Sequence, residues 1–422
     1  MKLQKIVRRL QKLHPKEIDL SLNRIKKLLN KIGNPQNKIK AISIVGTNGK
    51  YSTIEAIFSI LKASGYICNI YTSPHIQNIN ERFVFNNKKL TDRELVRLLE
   101  FIENSNKNEE ITFFEILTAA YFYKAAKYPE NINLIESGLF HRFDATNVLN
   151  KNIASVITSI SKDHLDWLPR NKKTLERIVF EKTSKLISSD IIVSKQRLVK
   201  TSSYIQNNIK KKKSNNYFFD RDFTYKIKDN NSFYYKDKFG LIDLPMPNIL
   251  GQFQLENITT AIASLRLTKK FKIKENNIKK ALTKINSLGR LQEIKSGKLK
   301  KLVKDNKLIV DGSHNEDGSR VLNEYLKSLN CRKHIVLGMM ANKDHLNFIK
   351  YFKNISSITT IDIPNQPNSL DGKILKTKFK NFQNVKYKPT IKKAISSVNL
   401  RKGDLLLITG SLYLAGEVLN LN

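Results

Sequence analysis

The sequence predicts an α/β protein with a P-loop-containing parallel-sheet N-terminal domain and a second, smaller Rossmann-like α/β domain. Three observations predict it. Apolar runs of strand length alternate with stretches of helical period along the chain. A glycine-rich turn, GTNGKYST at 46–53, stands between such a run and a helix. The alternation then restarts after Ser287-Leu288-Gly289-Arg290, which places the domain boundary at about residue 288, giving 1–288 and 289–422. A length of 422 residues is too great for one ordinary core and agrees with two.

In chain order, Leu22, Ile25, Leu29 and Ile32 recur at helical spacing, with Asp19 or Ser21 as N-cap and Gly33-Asn34-Pro35 as the stop. A strand over 41–45 leads into the glycine turn. A helix carrying Ile54, Ile57, Phe58 and Leu61 follows, then a strand over 66–71, which makes a right-handed βαβ unit. The pattern continues with a helix over 112–127, strands over 132–135 and 153–160, a helix over 175–188 and a strand over 191–193. Residues 210–239, polar and aromatic, predict an irregular or β-hairpin insertion; helices over 256–267 and 277–285 follow. Beyond the boundary the strands are 308–310, 334–337, 358–361 and 404–408, with a closing helix over 412–419. No internal sequence repeat is evident.

Composition narrows the class. Hydrophobic residues at 40% and charged residues at 27% are globular values. No uninterrupted apolar h-region marks a signal peptide, and no run has the length of a membrane span. The two cysteines, Cys68 and Cys331, fit no metal or disulfide spacing. The expectation is a soluble, reduced, cytoplasmic protein with no membrane contact. The formal charge of +38 invites a nucleic-acid reading. Against it, lysine is spread over the whole chain with much Asn and Ile, and no nucleic-acid signature accompanies it. The positive field suits anionic small molecules.

Four distinctive segments fall at predicted strand ends, where ligands of parallel sheets gather: GTNGKYST (46–53), YTSPHI (71–76), LIESGLFHRFDATN (134–147) and ITSISKDHLD (157–166). Any one alone reads as a turn. Together they point to one crevice. Gly46 and Gly49 let backbone amides converge on phosphate, and Lys50 supplies a point charge. The usual P-loop has Ser or Thr after the lysine as a magnesium ligand; here Tyr51 stands there, keeping its backbone N–H but removing the hydroxyl. Ser52 is left to bind phosphate, and the metal looks elsewhere. Glu136, ending an apolar strand, is a costly carboxylate unless a cation is near, and Ser73 and His164 lie at neighbouring strand ends.

These residues carry a resemblance. The chain resembles the folylpolyglutamate synthase and dihydrofolate synthase family, within the muramyl-ligase superfamily of ATP-dependent amide ligases. The matching stretches run nearly end to end and include HPKEIDLSLNRI, VGTNGKYST, YTSPHI, TFFEILTAA, IESGLFHRFDATNV, ITSISKDHLD, FEKTSKLI, LGQFQLEN, LGRLQEI, VDGSHNEDGSR, GMMANKD and ITGSLYLAGEVL. Departures occur at Tyr51, at Phe140-His141 and at Ser161-Lys162, where the family has glycine, two glycines and glycine-leucine. They narrow the crevice or alter backbone freedom, and so bear on substrate shape and rate.

The resemblance implies roles. Gly49, Lys50, Tyr51 and Ser52 bind ATP phosphates, with Asn257 at adenine and Arg290, Asp311 and His314 as nucleotide ligands from the second domain. Ser73, Glu136 and His164 hold magnesium, Ser73 standing in for the displaced hydroxyl. Ile18, Asp19, Leu20, Arg82, Phe113, Phe114 and Asp144 form the pterin and pteroate side, where an aromatic face suits a flat heterocycle. Lys50, Lys182 and His164 are the catalytic set, with Lys182, otherwise a helix-surface lysine by spacing, carbamylated so as to bind a second ion with His164.

The implied activity is ATP-dependent addition of L-glutamate to dihydropteroate and to reduced folates through an acyl phosphate, with ATP as co-substrate and two Mg2+ ions as the expected cofactor. Residues 1–288 would carry the ATP loop and the pterin or folate site, and 289–422 the glutamate-ligase domain, closing about residue 288 to exclude water. The alternatives are a monofunctional folylpolyglutamate synthase and, in a different class, a non-catalytic basic P-loop protein of nucleic acid. A cell-wall muramyl ligase would need a separate N-terminal domain, and 45 residues precede Gly46. The expected partners are small-molecule substrates only, acting on a monomer without nucleic acid.

Overall fold

The computed structural model describes residues 2–16, 19–379, 382 and 384–422. It divides into two compact units. One comprises Met1–Asn248 with Leu255–Ile285, the other Ile249–Gln254 with Asn286–Asn422.

The first unit is built on an eight-stranded sheet in the order β4-β3-β2-β5-β1-β6-β7-β8. Its strands are β1 (Lys40–Val45), β2 (Cys68–Tyr71), β3 (Phe83–Phe85), β4 (Lys88–Lys89), β5 (Ile132–Glu136), β6 (Ala154–Ile157), β7 (Asp190–Val193) and β8 (Asn215–Phe218). All pair in parallel except β3 and β4, which form an antiparallel edge. Strands β1, β2, β5, β6 and β7 are near-continuous apolar runs because helices cover both faces.

The helices of this unit are α1 (Lys2–Leu10), α2 (Asn23–Lys31), α3 (Lys50–Ala63), α4 (Asp92–Asn106), α5 (Phe113–Ala125), α6 (Leu175–Thr183), α7 (Val199–Ile209), α8 (Phe253–Arg266) and α9 (Glu275–Leu282). One core gathers Ile6, Leu29, Leu99, Leu117 and Tyr121 from α1, α2, α4 and α5. A second joins Val45 and Ile157 of the sheet to Ile178 and Val179 of α6 and Ile205 of α7.

Three details differ from the sequence expectation. Helix α2 begins at Asn23 with Leu22 in the capping position and no side-chain cap; Ser21 Oγ accepts from the Asn23 N–H at 3.2 Å instead. The stretch expected as an insertion supplies the eighth strand of the main sheet, and the rest forms an antiparallel three-stranded sheet of β9 (Phe223–Ile227), β10 (Ser232–Asp237) and β11 (Gly240–Pro245). The helix expected over 175–188 stops at Thr183.

The second unit carries a six-stranded sheet, β12-β13-β17-β14-β15-β16. Its strands are β12 (Gln292–Glu293), β13 (Lys307–Val310), β14 (Lys333–Leu337), β15 (Ser357–Thr360), β16 (Val385–Tyr387) and β17 (Leu405–Thr409), all parallel except β12. The expected fold class therefore holds: mixed α/β, with a large, mostly parallel sheet and a second sheet unit. Among the described residues no helix is long and apolar enough to cross a membrane.

Candidate active site

Strand order brings the four distinctive segments together. The carboxyl ends of β2, β5, β1 and β6 are adjacent, with Tyr71 opposite Ile135, Ile44 opposite Glu136 and Val45 opposite Ile157. The segments beginning at Thr72, Ser137, Gly46 and Thr158 leave the sheet side by side.

The glycine loop is held from beneath. Thr47 and Asn48 donate their N–H groups to Ser159 O at 2.8 and 3.2 Å, and Ser161 N–H donates to Thr47 Oγ1 at 3.1 Å. A Cβ on Gly46 would lie 1.9 Å from Thr158 Oγ1, and one on Gly49 would lie 2.4 Å from Asn257 Oδ1. Both positions therefore require glycine, and the second puts Asn257 of α8 against the loop. Gly49 also adopts φ +87° as the residue before α3, whose amino end then faces the loop.

Lys50 folds over this turn. Its Nζ donates to Gly46 O and Thr47 O at 3.4 and 3.3 Å and stands 3.7 Å from Glu136 Oε1. Glu136 is 5% exposed, and its Oε2 accepts the Ser73 N–H at 3.0 Å. A buried carboxylate and a hydroxyl-bearing residue thus meet at neighbouring strand ends. This is a hard-oxygen pair that fits a magnesium ion completing its shell with phosphates and water. Among the described residues no group of three or more His, Cys, Asp or Glu is arranged to hold a metal alone. His164 adopts φ +56°, and its Nε2 lies 3.8 Å from Asp163 Oδ2.

Tyr51 follows α3. Its side chain hydrogen-bonds Glu55, one turn on, whose carboxyl burial raises to about 7 while that hydrogen bond pulls it down. Ser52, 3% exposed, lies in the same first turn. Tyr51→Gly is therefore expected to keep ATP affinity within about threefold, since the backbone donor survives, and to cost about 1 kcal/mol of helix stability. Titration with a fluorescent ATP analogue and a thermal melt check both; total loss of nucleotide binding would make the ring part of the site.

Lys182 is not the surface residue its spacing suggests. It is 3% exposed, and its Nζ donates to Gly46 O and Leu139 O, each at 2.8 Å. Burial pulls the amine down to about 7, and the charge of Lys50 adds to the effect against Asp163 and Asp144. Asp163 went unassigned in the sequence, although it directly precedes His164. The departures Phe140 and His141 are both 1% exposed and so turn inward. Phe140 joins the apolar core, and His141 Nδ1 pairs with Ser137 Oγ at 2.9 Å. Burial, helped by the charges of Lys182 and Lys212, lowers this imidazole to about 3 and keeps it neutral.

On the other side of Gly138 lies Asp144. Its carboxylate accepts from Gly138 N–H (2.9 Å), Thr146 N–H (3.0 Å) and Thr146 Oγ1 (2.5 Å), yet burial still raises it to about 6. A Cβ on Gly138 would meet Asp144 Oδ2 at 2.9 Å and Phe114 Cζ at 3.3 Å, so Phe114 and Asp144 converge there. Phe113 packs beside Phe114 on the first-turn side of α5, partly buried against the core. Arg82 Nε donates to His75 Nδ1 at 3.0 Å, and burial together with the Arg82 charge lowers His75 to about 4. Leu20 packs partly buried on the α6–α7 core, and Asp19 is held by Arg24. Ile18 lies outside the described residues.

In the second unit Arg290, Asp311 and His314 gather after β13. Asp311 accepts from Leu291 N–H and Ser313 N–H at 2.9 and 2.8 Å, and His314 Nδ1 lies 2.9 Å from Gly312 O. A Cβ on Gly312 would come within 2.8 Å of Arg290 Nη1, which keeps that position open for the guanidinium.

Residues 289–412 match the family model described as Mur ligase, glutamate ligase domain. The dihydrofolate synthase/folylpolyglutamate synthase of Haemophilus influenzae is 29% identical over 97% of this chain and 94% of its own. The folylpolyglutamate synthase of Lacticaseibacillus casei is 28% identical over 94% of this chain and 92% of its own. Among solved structures, E. coli FolC in complex with DHPP and ADP superposes with a TM-score of 0.87 at 25% identity, covering 99% of this chain and 97% of that one. Along nearly its whole length the chain is thus similar to enzymes of the folylpolyglutamate synthase/dihydrofolate synthase family, and residues 289–412 carry the glutamate ligase domain of Mur ligases.

Proposed function

We infer that this protein is an ATP-dependent ligase that joins L-glutamate to dihydropteroate, giving dihydrofolate, and to reduced folates, giving polyglutamates. The observation that carries the reading is a glycine loop whose lysine stands 3.7 Å from a buried strand-end carboxylate, in a chain matched along its length by enzymes of that name.

In the first step a carboxylate oxygen of the acceptor attacks the γ-phosphorus of ATP. The bond to the bridging oxygen breaks, giving ADP and an acyl phosphate. The glutamate amine then attacks the acyl carbon, the amide C–N bond forms, a proton leaves the nitrogen, and phosphate departs. Gly49, Lys50, Tyr51 and Ser52 bind the phosphates, Lys50 through its charge and the rest through N–H and hydroxyl donors. Asn257, Arg290, Asp311 and His314 complete nucleotide binding. Ser73 and Glu136 would hold a magnesium ion, and His164 with a carbamylated Lys182 a second; when bound, such ions neutralise charge on the transferring phosphoryl group. Asp19, Leu20, Arg82, Phe113, Phe114 and Asp144 serve the pteroate side, and residues 289–422 the glutamate-ligase domain.

Mass spectrometry of products from dihydropteroate or tetrahydrofolate with ATP, magnesium and glutamate tests the assignment; a glutamyl adduct of each acceptor is expected. Product from tetrahydrofolate alone would make the enzyme monofunctional. ATP hydrolysis driven by DNA or RNA, and not by pteroate with glutamate, would replace the ligase with a nucleic-acid protein. We propose that the chain acts as a monomer, which sedimentation at working concentration checks.

The two acceptors are separable at Asp144. Asp144→Asn is expected to raise KM for dihydropteroate about tenfold and leave ATP affinity within about twofold, because the change alters hydrogen bonding beside Phe114 and not at the loop. Unchanged kinetics with both acceptors would remove Asp144 from the substrate side.

A further inference from the structure

Asp19 reaches its place through a neighbour that the sequence did not single out. Arg24, in the first turn of α2, donates from Nη1 to Asp19 Oδ2 and from Nη2 to Asp19 O, each at 2.8 Å. Its Nε donates to Glu115 Oε2 at 3.0 Å. Glu115 lies in the first turn of α5 and is 3% exposed. The same carboxylate oxygen closes the α5 capping box, accepting from Thr112 N–H at 2.9 Å and Thr112 Oγ1 at 2.8 Å. One guanidinium therefore joins two segments about ninety residues apart in sequence.

What it joins is informative. Glu115 directly follows Phe113 and Phe114, and Phe114 leads to Gly138 and Asp144. On the far side, His14 Nε2 lies 3.4 Å from Asp19 Oδ2 and 3.0 Å from Glu110 Oε1, so the Asp19 carboxylate is gripped from two directions. Glu115 has the Thr112 donors without Arg24, and the Asp19 side chain remains 36% exposed. Neutralising the buried Glu115 accounts for the Nε bond, but not for the two further bonds that the same guanidinium makes to the half-exposed Asp19. A planar fork with donors in fixed directions can serve Asp19 and Glu115 at once, whereas a lysine ammonium cannot reproduce that geometry.

We propose that Arg24 is a positioning residue for the pteroate side of the reaction, fixing Asp19 and the Phe113–Phe114 face of α5 in one arrangement. This rests on the assignment of Asp19, Phe113 and Phe114 to that side. Arg24 touches neither the phosphate loop nor the Ser73–Glu136 pair, so its effect falls on one substrate.

The test compares wild type with Arg24→Gln, Arg24→Lys and Glu115→Gln, the last keeping a capping side chain while weakening the same link. Dihydropteroate binding is titrated without ATP through pterin fluorescence, and KM for ATP and kcat are measured separately. Arg24→Gln is expected to bind dihydropteroate about tenfold more weakly, with KM for ATP within about twofold and kcat at saturation within about threefold. Arg24→Lys should recover part of the loss, and Glu115→Gln should shift affinity in the same direction by less. Dihydropteroate affinity unchanged in Arg24→Gln, or ATP and dihydropteroate weakened equally, overturns the positioning role while the ligase reading stands. Wild type that neither binds dihydropteroate nor glutamylates it overturns both.

Discussion

Glu136→Gln is expected to abolish turnover, by at least about a thousandfold, and to leave the fold intact. The carboxylate ends β5, is 5% exposed and faces Lys50 at 3.7 Å. A buried anion in such a place is stable only beside positive charge. Lys50 supplies part of that charge, and the remaining demand suits a divalent ion shared with phosphate oxygens. Glutamine keeps the volume and can still accept the Ser73 N–H, so the strand end should not collapse; what goes is the negative charge. Product formation at saturating magnesium, followed beside far-UV circular dichroism and a thermal melt, checks it. Near-normal turnover would take Glu136 out of the metal site.

Lys182→Ala should lose ligase activity by about a hundredfold or more, with partial recovery on adding acetate. The amine is buried, tied to two backbone carbonyls and brought to about 7. A carbamate forms only from the neutral amine, and the neutral fraction grows as pH rises through about 7. Activity in the presence of bicarbonate should therefore climb across that range, and intact-mass analysis at alkaline pH should find one added carbon dioxide. An opposite slope, or a Lys182→Ala enzyme with normal turnover, would leave Lys182 as a cation that merely braces the glycine loop.

The catalytic side of the sheet was the most legible part of the chain. Strands β1, β2, β5 and β6 are apolar runs that end abruptly in glycine, serine, threonine or a carboxylate, and that change of chemistry marks a carboxyl end without knowledge of the fold. The edges were less legible. Strand β8 reads Asn-Asn-Tyr-Phe and β4 is Lys-Lys, because an edge strand faces water and carries no apolar pattern. Burial of Lys182 was hidden for another reason. A nine-residue helix with apolar neighbours on two sides does not reveal which charged position turns inward; that depends on where Gly46 and Leu139 place their carbonyls. Arg24 shows the same limit, since its partners Asp19 and Glu115 lie on segments the sequence alone cannot bring together.

The order of strands in the main sheet bears on how the chain is made. Strand β1 is flanked by β5 and β6, neither of which exists until residue 132 has been added, and β2 meets β1 only through β5. A ribosome working at about 5–20 residues per second therefore holds the nascent glycine loop for several seconds without either neighbouring strand. Through that interval the apolar β1 run is available to a holding chaperone or to another nascent chain. Fragments that stop short of Glu136 should stay protease-sensitive, and protection should arrive in one step once β5 has slotted between β1 and β2.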